Sequence, residues 1–219
     1  MTDDIKKPHR IIITRADEMV KTLDTAANDN AGGKILAVLS IEHPGVQPGA
    51  KGSAPRLDAT THAHVPQKIL SFWDAEQKVH QGPDLPQVEA GLAFVMEHLQ
   101  KSEDGAVLIH CHAGKSRSVA LALGALSLMY PEKGEREILD MLLDIRPIAA
   151  PNIIMVEMLD TLTGRNGKLL QAVLDHPVIG EQRRVAEENR QSLLRERPEM
   201  LEKMHPEKFF GKKPADPKP

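Results

Sequence analysis

The stretch Val107-Leu-Ile-His-Cys-His-Ala-Gly-Lys-Ser-Arg-Ser118 decides how this chain folds. Its first three residues are apolar, which predicts a buried strand. The residues that follow, as far as Met129, are apolar almost all round a helix, and a helix without a polar face is packed on both sides. The loop from Cys111 to Arg117 is therefore expected to lie between the two most buried elements of the fold.

The residue types in this loop suit the binding of an anion. A loop that wraps the N-terminus of a helix turns successive backbone N–H groups inward and forms a concave anion site. Gly114 permits the close backbone approach that such a site requires, and Arg117 offers a planar, two-pronged donor for two phosphate oxygens. The same positive field favours the thiolate form of Cys111. The loop therefore predicts a phosphate site with a built-in nucleophile.

Outward from the loop, the spacing of apolar residues predicts further strands and helices on both sides. Strands are predicted at 10–14, 34–41 and 67–74, and helices at 16–23, 85–99, 135–145 and 153–162. Nearly continuous apolar runs are typical of strands that are covered on both faces. We therefore predict an α/β fold with a central, mostly parallel sheet flanked by helices.

Residues Ile109 to Ser118 resemble the signature of the cysteine-dependent protein tyrosine phosphatase superfamily, in its dual-specificity-like branch. The resemblance rests on the histidine before the cysteine, the Ala-Gly pair in the loop and the Arg-Ser pair at its end. It implies a protein tyrosine phosphatase-like fold and the metal-independent hydrolysis of phosphotyrosine and phosphoserine/threonine through a phosphocysteine intermediate. It also implies that the loop binds the phosphate through His112, Ala113, Gly114, Lys115, Ser116 and Arg117.

The resemblance gives supporting roles to three further residues. His110 would orient the cysteine loop, and Asn152 would border the active site, although Asn152 also suits the N-cap of the helix that follows it. The hydroxyl of Ser118 would hydrogen-bond to the sulfur of Cys111 and help phosphate to leave in the second step. Alternatively, Ser118 is an ordinary serine in the first turn of a helix.

A thiolate mechanism also needs an acid that protonates the leaving oxygen. Asp74 ends the predicted third strand, and in open α/β sheets the chemistry gathers beyond the C-terminal ends of the strands. Phe72-Trp73 precedes it and could shield it. Asp84 is the alternative general acid, but it also suits the N-cap of the next helix. We predict Asp74 and keep Asp84 as its rival.

Two other functions fit the same loop. Lys115 and His112 add positive character, so an inositol phosphate or phosphoinositide phosphatase is an alternative, and so is a non-catalytic phospho-binding module.

The segment 42–66, which follows the second predicted strand, is rich in Pro, Gly, Thr and His. It is either a substrate-facing flap that carries Arg56 or an insertion on the surface.

Composition limits the partners. The chain has 219 residues, a formal charge of −3 and a single cysteine. This charge gives no reason to expect nucleic acid as a partner, and a lone cysteine excludes an intramolecular disulfide and fits a reducing compartment. No stretch approaches a membrane span. We expect a cytoplasmic protein that acts on a phosphorylated protein or small molecule without a cofactor or metal; no pattern indicates its oligomeric state.

The sequence changes character near Gly164. We predict a phosphatase domain at 1–164, a helical extension at 165–200 and a disordered tail at 201–219. From residue 181 onward, positive and negative charges are mixed, which indicates a solvated helix or arm. The final residues are rich in Pro and Lys, a composition typical of disorder.

Overall fold

The computed structural model describes residues 10–28 and 34–206. Four strands in these ranges form one sheet: β1 Ile11–Arg15, β2 Ile35–Glu42, β3 Gln67–Ser71 and β4 Ala106–Cys111. Their order is β1-β4-β2-β3, and every neighbouring pair is parallel. The predicted α/β fold with a central parallel sheet is confirmed.

Eight α-helices surround the sheet within the described ranges. They are α1 Met19–Asn28, α2 Leu85–Lys101, α3 Arg117–Met129, α4 Glu135–Ile145, α5 Ile153–Leu162, α6 Lys168–Asp175, α7 Pro177–Glu196 and α8 Pro198–Met204. A one-turn 3-10 helix precedes α1, so the helix that the sequence predicts at 16–23 begins with a tighter turn. None of these helices is long and apolar enough to cross a bilayer.

Both faces of the sheet are covered, because alternate residues of a strand point to opposite faces. In β4, Leu108 belongs to one apolar cluster with Met19 of α1. Its neighbours Val107 and Ile109 belong to the larger cluster on the other face, which contains the apolar residues of α3. All six residues of β4 are buried. The continuous apolar sequence of this strand therefore reflects its central position.

The helix that follows the cysteine loop is the most enclosed helix of the core. Residues from Arg117 to Ser127 are all buried. Gly124 allows α5 to approach closely, because a β-carbon at this position would lie 2.5 Å from a methyl carbon of Leu159. The N-terminus of α3, where the loop ends, is thus held in a fixed position by packing on all sides.

The third strand is shorter than predicted and ends at Ser71 rather than at Asp74. The Phe72 amide still donates to the Glu42 carbonyl at 3.2 Å, but the Trp73 amide donates to Gln81 at 3.0 Å. This second bond turns the chain away from the sheet. Asp74 therefore lies in a loop beyond the edge at which the parallel strands end, and not on a strand.

The segment after Gly164 packs against the rest of the chain. Leu169 and Val173 of α6 and Ile179 of α7 are fully buried in the main core. The division at Gly164 stays a prediction about domain organisation. Of the predicted disordered tail, 201–204 lie in α8, and 207–219 lie outside the described residues.

Candidate active site

Residues 111–117, which we call the cysteine loop, connect β4 to α3 in a tight conformation. Gly114 has a φ of +62°, and a β-carbon here would lie 2.4 Å from the carbonyl oxygen of Thr14. No other residue fits this position without displacing the backbone of β1. Arg146 donates from Nε to the Gly114 carbonyl at 2.9 Å. The loop is therefore fixed from both sides.

The thiol of Cys111 lies at the bottom of the loop and is 2% exposed. Its Sγ is 3.2 Å from Oγ of Ser118, and either atom can be the donor. Ser118 is fully buried in the first turn of α3. Ser118 is therefore a first-turn serine whose hydroxyl also contacts the sulfur of Cys111, and its part in the release of phosphate stays a prediction.

Arg117 ties the cysteine loop to the ends of two other strands. Its side chain is buried, and Nη1 donates to the carbonyl of Glu42 at 3.1 Å and to that of Phe72 at 2.6 Å. Nε has no hydrogen-bond partner within the described residues and lies 3.9 Å from Oδ2 of Asp74. The guanidinium is thus held rigidly while one donor is available to an anion.

Asp74 is brought to the cysteine loop by two hydrogen bonds to the same carboxylate oxygen. Oδ1 accepts from Oγ of Ser116 at 2.7 Å and from Nδ2 of Asn152 at 2.9 Å. Desolvation would raise the pKa of Asp74, but the charges of Arg117 and Arg190 and these two hydrogen bonds outweigh it and lower the pKa below its usual value. Asp74 is therefore ionised while the site holds no substrate.

Asn152 is fully buried and has two functions at once. Its Oδ1 accepts from the amide of Met155 at 3.1 Å, so it caps α5. Its Nδ2 donates to Asp74 and also to the carbonyl of Ala75, each at 2.9 Å. Both roles that the sequence left open are present, because one side-chain amide can accept and donate simultaneously.

Asp84, the alternative acid, lies at a different place. It is exposed and caps α2, where Oδ1 accepts from the amide of Gln87 at 2.8 Å. Its side chain does not line the cavity above the cysteine loop, whereas that of Asp74 does. The structure thus brings Asp74 to the loop and places Asp84 at a helix N-terminus, where an acid is favourable.

His110 connects the start of the loop to β2. Its side chain is fully buried, and Nε2 lies 2.7 Å from Oγ of Ser40. Ser40 in turn accepts from Nε2 of Gln67 at 2.8 Å. Burial lowers the pKa of His110 to about 4, so the ring is neutral near pH 7. Ser40 and Gln67 were not indicated by the sequence.

Two further imidazoles lie beside the loop. The His43 ring centroid is 5.2 Å from that of Trp73 and 5.9 Å from that of His112. Burial, aided by the charge of Arg117, lowers the pKa of His43 to about 4 and also lowers that of His112. His112 therefore adds less positive charge than the sequence indicated, and Arg117 and Lys115 supply most of it.

The segment 42–66 is anchored by the arginine that the flap hypothesis placed next to substrate. Arg56 contacts the carboxylate of Glu42 with two donors, at 2.9 and 3.1 Å. The amide of Ala54 donates to the same carboxylate at 2.9 Å. Since the Glu42 carbonyl accepts from Arg117, Arg56 supports the end of β2 instead of facing the cavity.

A cavity of about 490 Å³ opens directly above the cysteine loop. Its floor is polar and contains His112, Lys115, Ser116, Arg117 and Asp74. Its sides are largely apolar, with Trp73, Ile148 and Ala150 on one side and Val185, Ala186, Leu193, Leu194, Met200 and Met204 on the other. The second group belongs to α7 and α8, so the segment that the sequence indicated as solvated forms a wall of the candidate site.

We call residues 177–204, which comprise α7 and α8, the C-terminal arm. Arg183 donates to Glu76 at 3.0 Å, and Arg190 lies 3.6 Å from the same carboxylate. At the other end of the arm, the amide of His80 donates to the Met204 carbonyl at 2.8 Å. The arm is thus attached to the loop that carries Asp74.

Sequence reasoning missed the arm and its contacts. Its charged residues are typical of a solvated helix, and the partner of Arg183 lies far away along the chain. One signal was present: Val185, Asn189 and Leu193 recur every four residues and so share one helical face. Such a weak stripe indicates a contact without identifying the surface that is contacted.

Within residues 10–28 and 34–206, no group of three or more His, Cys, Asp or Glu side chains is arranged to hold a metal ion. The positively charged side chains of Arg117 and Lys115 line the cavity floor. The cavity floor can therefore bind an anion beside the carboxyl group of Asp74, and the buried thiol of Cys111 lies at the start of the same loop. These are the components of nucleophilic catalysis on a phosphate ester.

Three solved structures resemble this fold. Human tyrosine phosphatase-like serine/threonine/tyrosine-interacting protein superposes with a TM-score of 0.54 at 18% identity, covering 72% of this chain and 93% of its own. Human DUSP28 gives 0.50 at 18%, with the same coverage. A mouse putative dual specificity phosphatase, complexed with zinc tungstate, gives 0.50 at 16%, covering 77% and 87%. No protein-family model and no curated protein matches the sequence. The chain has the protein tyrosine phosphatase fold in its dual-specificity form.

Proposed function

We propose that this chain is a cysteine-dependent phosphatase that hydrolyses phosphate monoesters, phosphotyrosine and phosphoserine/threonine among them, through a cysteinyl-phosphate intermediate. One observation carries the proposal. The loop that begins at the buried Cys111 ends at Arg117, which lines a cavity together with Asp74, a residue remote in sequence that Ser116 and Asn152 hold in place. A structural cysteine needs neither the arginine nor the acid. The fold of dual-specificity phosphatases agrees with this assignment.

In the proposed mechanism each step is carried out by a named residue. The loop amides and Arg117 bind the phosphate, and the Cys111 thiolate attacks phosphorus as the bond to the leaving oxygen breaks. Asp74 gives its proton to that oxygen, so the alcohol departs neutral. Water then attacks the phosphocysteine and loses a proton to Asp74, the P–S bond breaks, and Ser118 donates a hydrogen bond to the departing thiolate. Donors fixed in advance stabilise both transition states.

The lowered pKa of Asp74 is compatible with a role as acid. In the free enzyme the neighbouring arginine charges favour the carboxylate. A bound phosphate dianion neutralises Arg117 and places negative charge beside Asp74, and a like charge raises the pKa of a carboxyl group. Binding of substrate therefore favours the protonated form of Asp74 that the first step requires.

The proposal is tested by phosphate release from an aryl phosphate near pH 6 in the presence of a chelator. We expect turnover that is insensitive to chelator and proportional to the fraction of unmodified Cys111, which can be titrated by alkylation because the chain has one cysteine. Binding of tungstate without any turnover would contradict the enzyme and favour a phospho-binding module. Turnover that requires an added metal would contradict the cysteine mechanism.

The choice of acid is tested by comparing Asp74→Asn with Asp84→Asn, a matched pair of isosteric changes. We expect Asp74→Asn to lower kcat by about 10²- to 10⁴-fold, the usual contribution of general acid catalysis. The alkaline limb of the kcat–pH profile, where wild-type Asp74 loses its proton, should disappear in that variant. Asp84→Asn should retain near-normal kcat because it alters only a helix cap.

The opposite result, in which Asp84→Asn loses activity and the alkaline limb while Asp74→Asn keeps both, would make Asp84 the general acid. Asp84 would then have to move to the cysteine loop when substrate binds. An inositol phosphate or phosphoinositide phosphatase is less well supported, because the lowered pKa of His112 reduces the positive charge available to several phosphates. The cytoplasmic location and the absence of a nucleic-acid partner stay predictions from the sequence.

A further inference from the structure

The cavity above the cysteine loop has two chemically different parts. Arg117 and Lys115 on its floor suit an anion, whereas its sides hold apolar groups from Trp73, from the connection between α4 and α5, and from the C-terminal arm. A volume of about 490 Å³ falls within the roughly 300–1,000 Å³ range of small-molecule sites. The volume thus leaves room for a substantial apolar group in addition to the phosphate.

The wall that the arm contributes is held in place by contacts at several points. Arg183 and Arg190 contact Glu76, whose side chain is only 20% exposed. Near the start of α7, Nε2 of Gln182 donates to the Pro147 carbonyl at 2.5 Å. At the far end, Met204 packs with Trp73 in one apolar cluster. An arm fixed at both ends is a wall of the site and not a mobile cover.

The side chains of this wall suit a flexible apolar chain. Val185 and Leu193 are 42% and 36% exposed, which is unusual for residues that line a cavity unless something covers them. Met200 and Met204 also line it, and methionine adapts its shape to irregular apolar partners. Four polar side chains of α7 also line the cavity: Glu181, Gln182, Asn189 and Arg190. Three of them already have partners within the protein, because Glu181 pairs with Arg184, Gln182 donates to the Pro147 carbonyl and Arg190 pairs with Glu187.

We infer that the preferred substrate is a phosphate monoester of an apolar alcohol, a single-chain amphiphile whose phosphate lies on the cysteine loop and whose chain lies against α7 and α8. This inference rests on the proposed phosphatase function and specifies its substrate class. An alkyl chain gains binding free energy from every methylene group that leaves water against the apolar part of this wall.

The test measures kcat/KM for butyl, hexyl, octyl and decyl phosphate below their micelle concentrations, beside glycerol phosphate and a phosphotyrosine peptide. We expect kcat/KM to rise with chain length, by up to about fourfold for each fully buried methylene group, and to level off when the chain outgrows the cavity. Octyl phosphate should exceed butyl phosphate by about ten- to a hundredfold, because the half-open wall buries each group incompletely.

A matched pair of variants on one helix localises the effect. Val185→Asp puts a charge into the wall, and we expect it to bring the octyl-to-butyl ratio close to one. Val178→Asp makes the same change at a residue that is 48% exposed and does not line the cavity; it should leave the ratio unchanged. Equal thermal melting temperatures would confirm that both variants fold.

The inference and the phosphatase proposal fail in different ways. A flat dependence on chain length, or a phosphopeptide preferred over octyl phosphate, would overturn the amphiphile inference while leaving the phosphatase intact. If no monoester is turned over, the amphiphile inference can still be tested by calorimetric measurement of the binding of alkyl phosphates to Cys111→Ser. Affinity that rises with chain length supports the apolar site without catalysis, and affinity that does not rise overturns it.

Discussion

Replacement of Cys111 by serine is expected to reduce phosphate release from an aryl phosphate by about 10⁵- to 10⁶-fold, the scale on which an enzyme depends on its nucleophile. A serine hydroxyl has the same position but is a much weaker nucleophile than the cysteine sulfur. The change is nearly isosteric, and the buried Oγ can still hydrogen-bond to Ser118, which lies 3.2 Å from the present sulfur. The fold should therefore persist.

The measurement is single-turnover and steady-state phosphate release by both proteins in chelator. Ser118→Ala is the control, since it removes a hydroxyl from the same contact and keeps the thiol. We expect it to lose only about ten- to a hundredfold, the worth of one hydrogen bond to a charged group, and to accumulate phosphocysteine because the second step is slowed. Substantial turnover by Cys111→Ser would mean that another group attacks phosphorus.

Arg117→Lys is expected to lower kcat/KM by about 10³- to 10⁵-fold, the range found for arginines that stabilise phosphoryl transfer. The guanidinium holds the carbonyls of Glu42 and Phe72 at 3.1 and 2.6 Å while another of its donors is available to the phosphate. An ammonium group keeps the charge but has no planar fork, so it cannot do both. Loss of geometry, not of charge, causes the effect.

Arg146→Lys provides the comparison for this variant, because Arg146 contacts the same loop through the Gly114 carbonyl at 2.9 Å. We expect Arg146→Lys to lower kcat/KM far less than Arg117→Lys does, since a lysine can replace a single hydrogen-bond donor. Tungstate binding and melting temperature would be measured for both. If Arg117→Lys retained wild-type kcat/KM, the proposed role of the Arg117 guanidinium in phosphate binding would be wrong.

Nearly everything that depends on contiguous residues could be predicted from the sequence. The strand, loop and helix around Cys111 are confirmed as elements, because buried strands and helices have periodicities that a short window contains. The β3 strand was predicted three residues too long. Phe72 and Trp73 are as apolar as a strand residue, but they are buried in the loop beyond the sheet.

The identity of the acid could not be decided in this way. Asp74 and Asp84 are both aspartates a few tens of residues before the cysteine; Asp74 suited a strand end, and Asp84 suited a helix cap. The structure separates their positions, since Ser116 and Asn152 bond to Asp74 while Asp84 caps α2. The bonds to Asp74 join residues that are remote in sequence, and no local pattern reports such contacts. Which of the two acts as the acid stays a prediction.

The sequence by itself determined the parallel α/β architecture and led to the proposals of an anion-binding loop and a cysteine nucleophile, since each follows from the chemistry and periodicity of adjacent residues. The tertiary structure decided which acid faces the loop, that Arg56 supports β2, and that a charged helix forms an apolar wall. Arg183 and Glu76 are 107 residues apart. Such pairings depend on how the whole chain packs, and a mixed-charge helix has the same sequence pattern whether its charges meet water or a distant carboxylate.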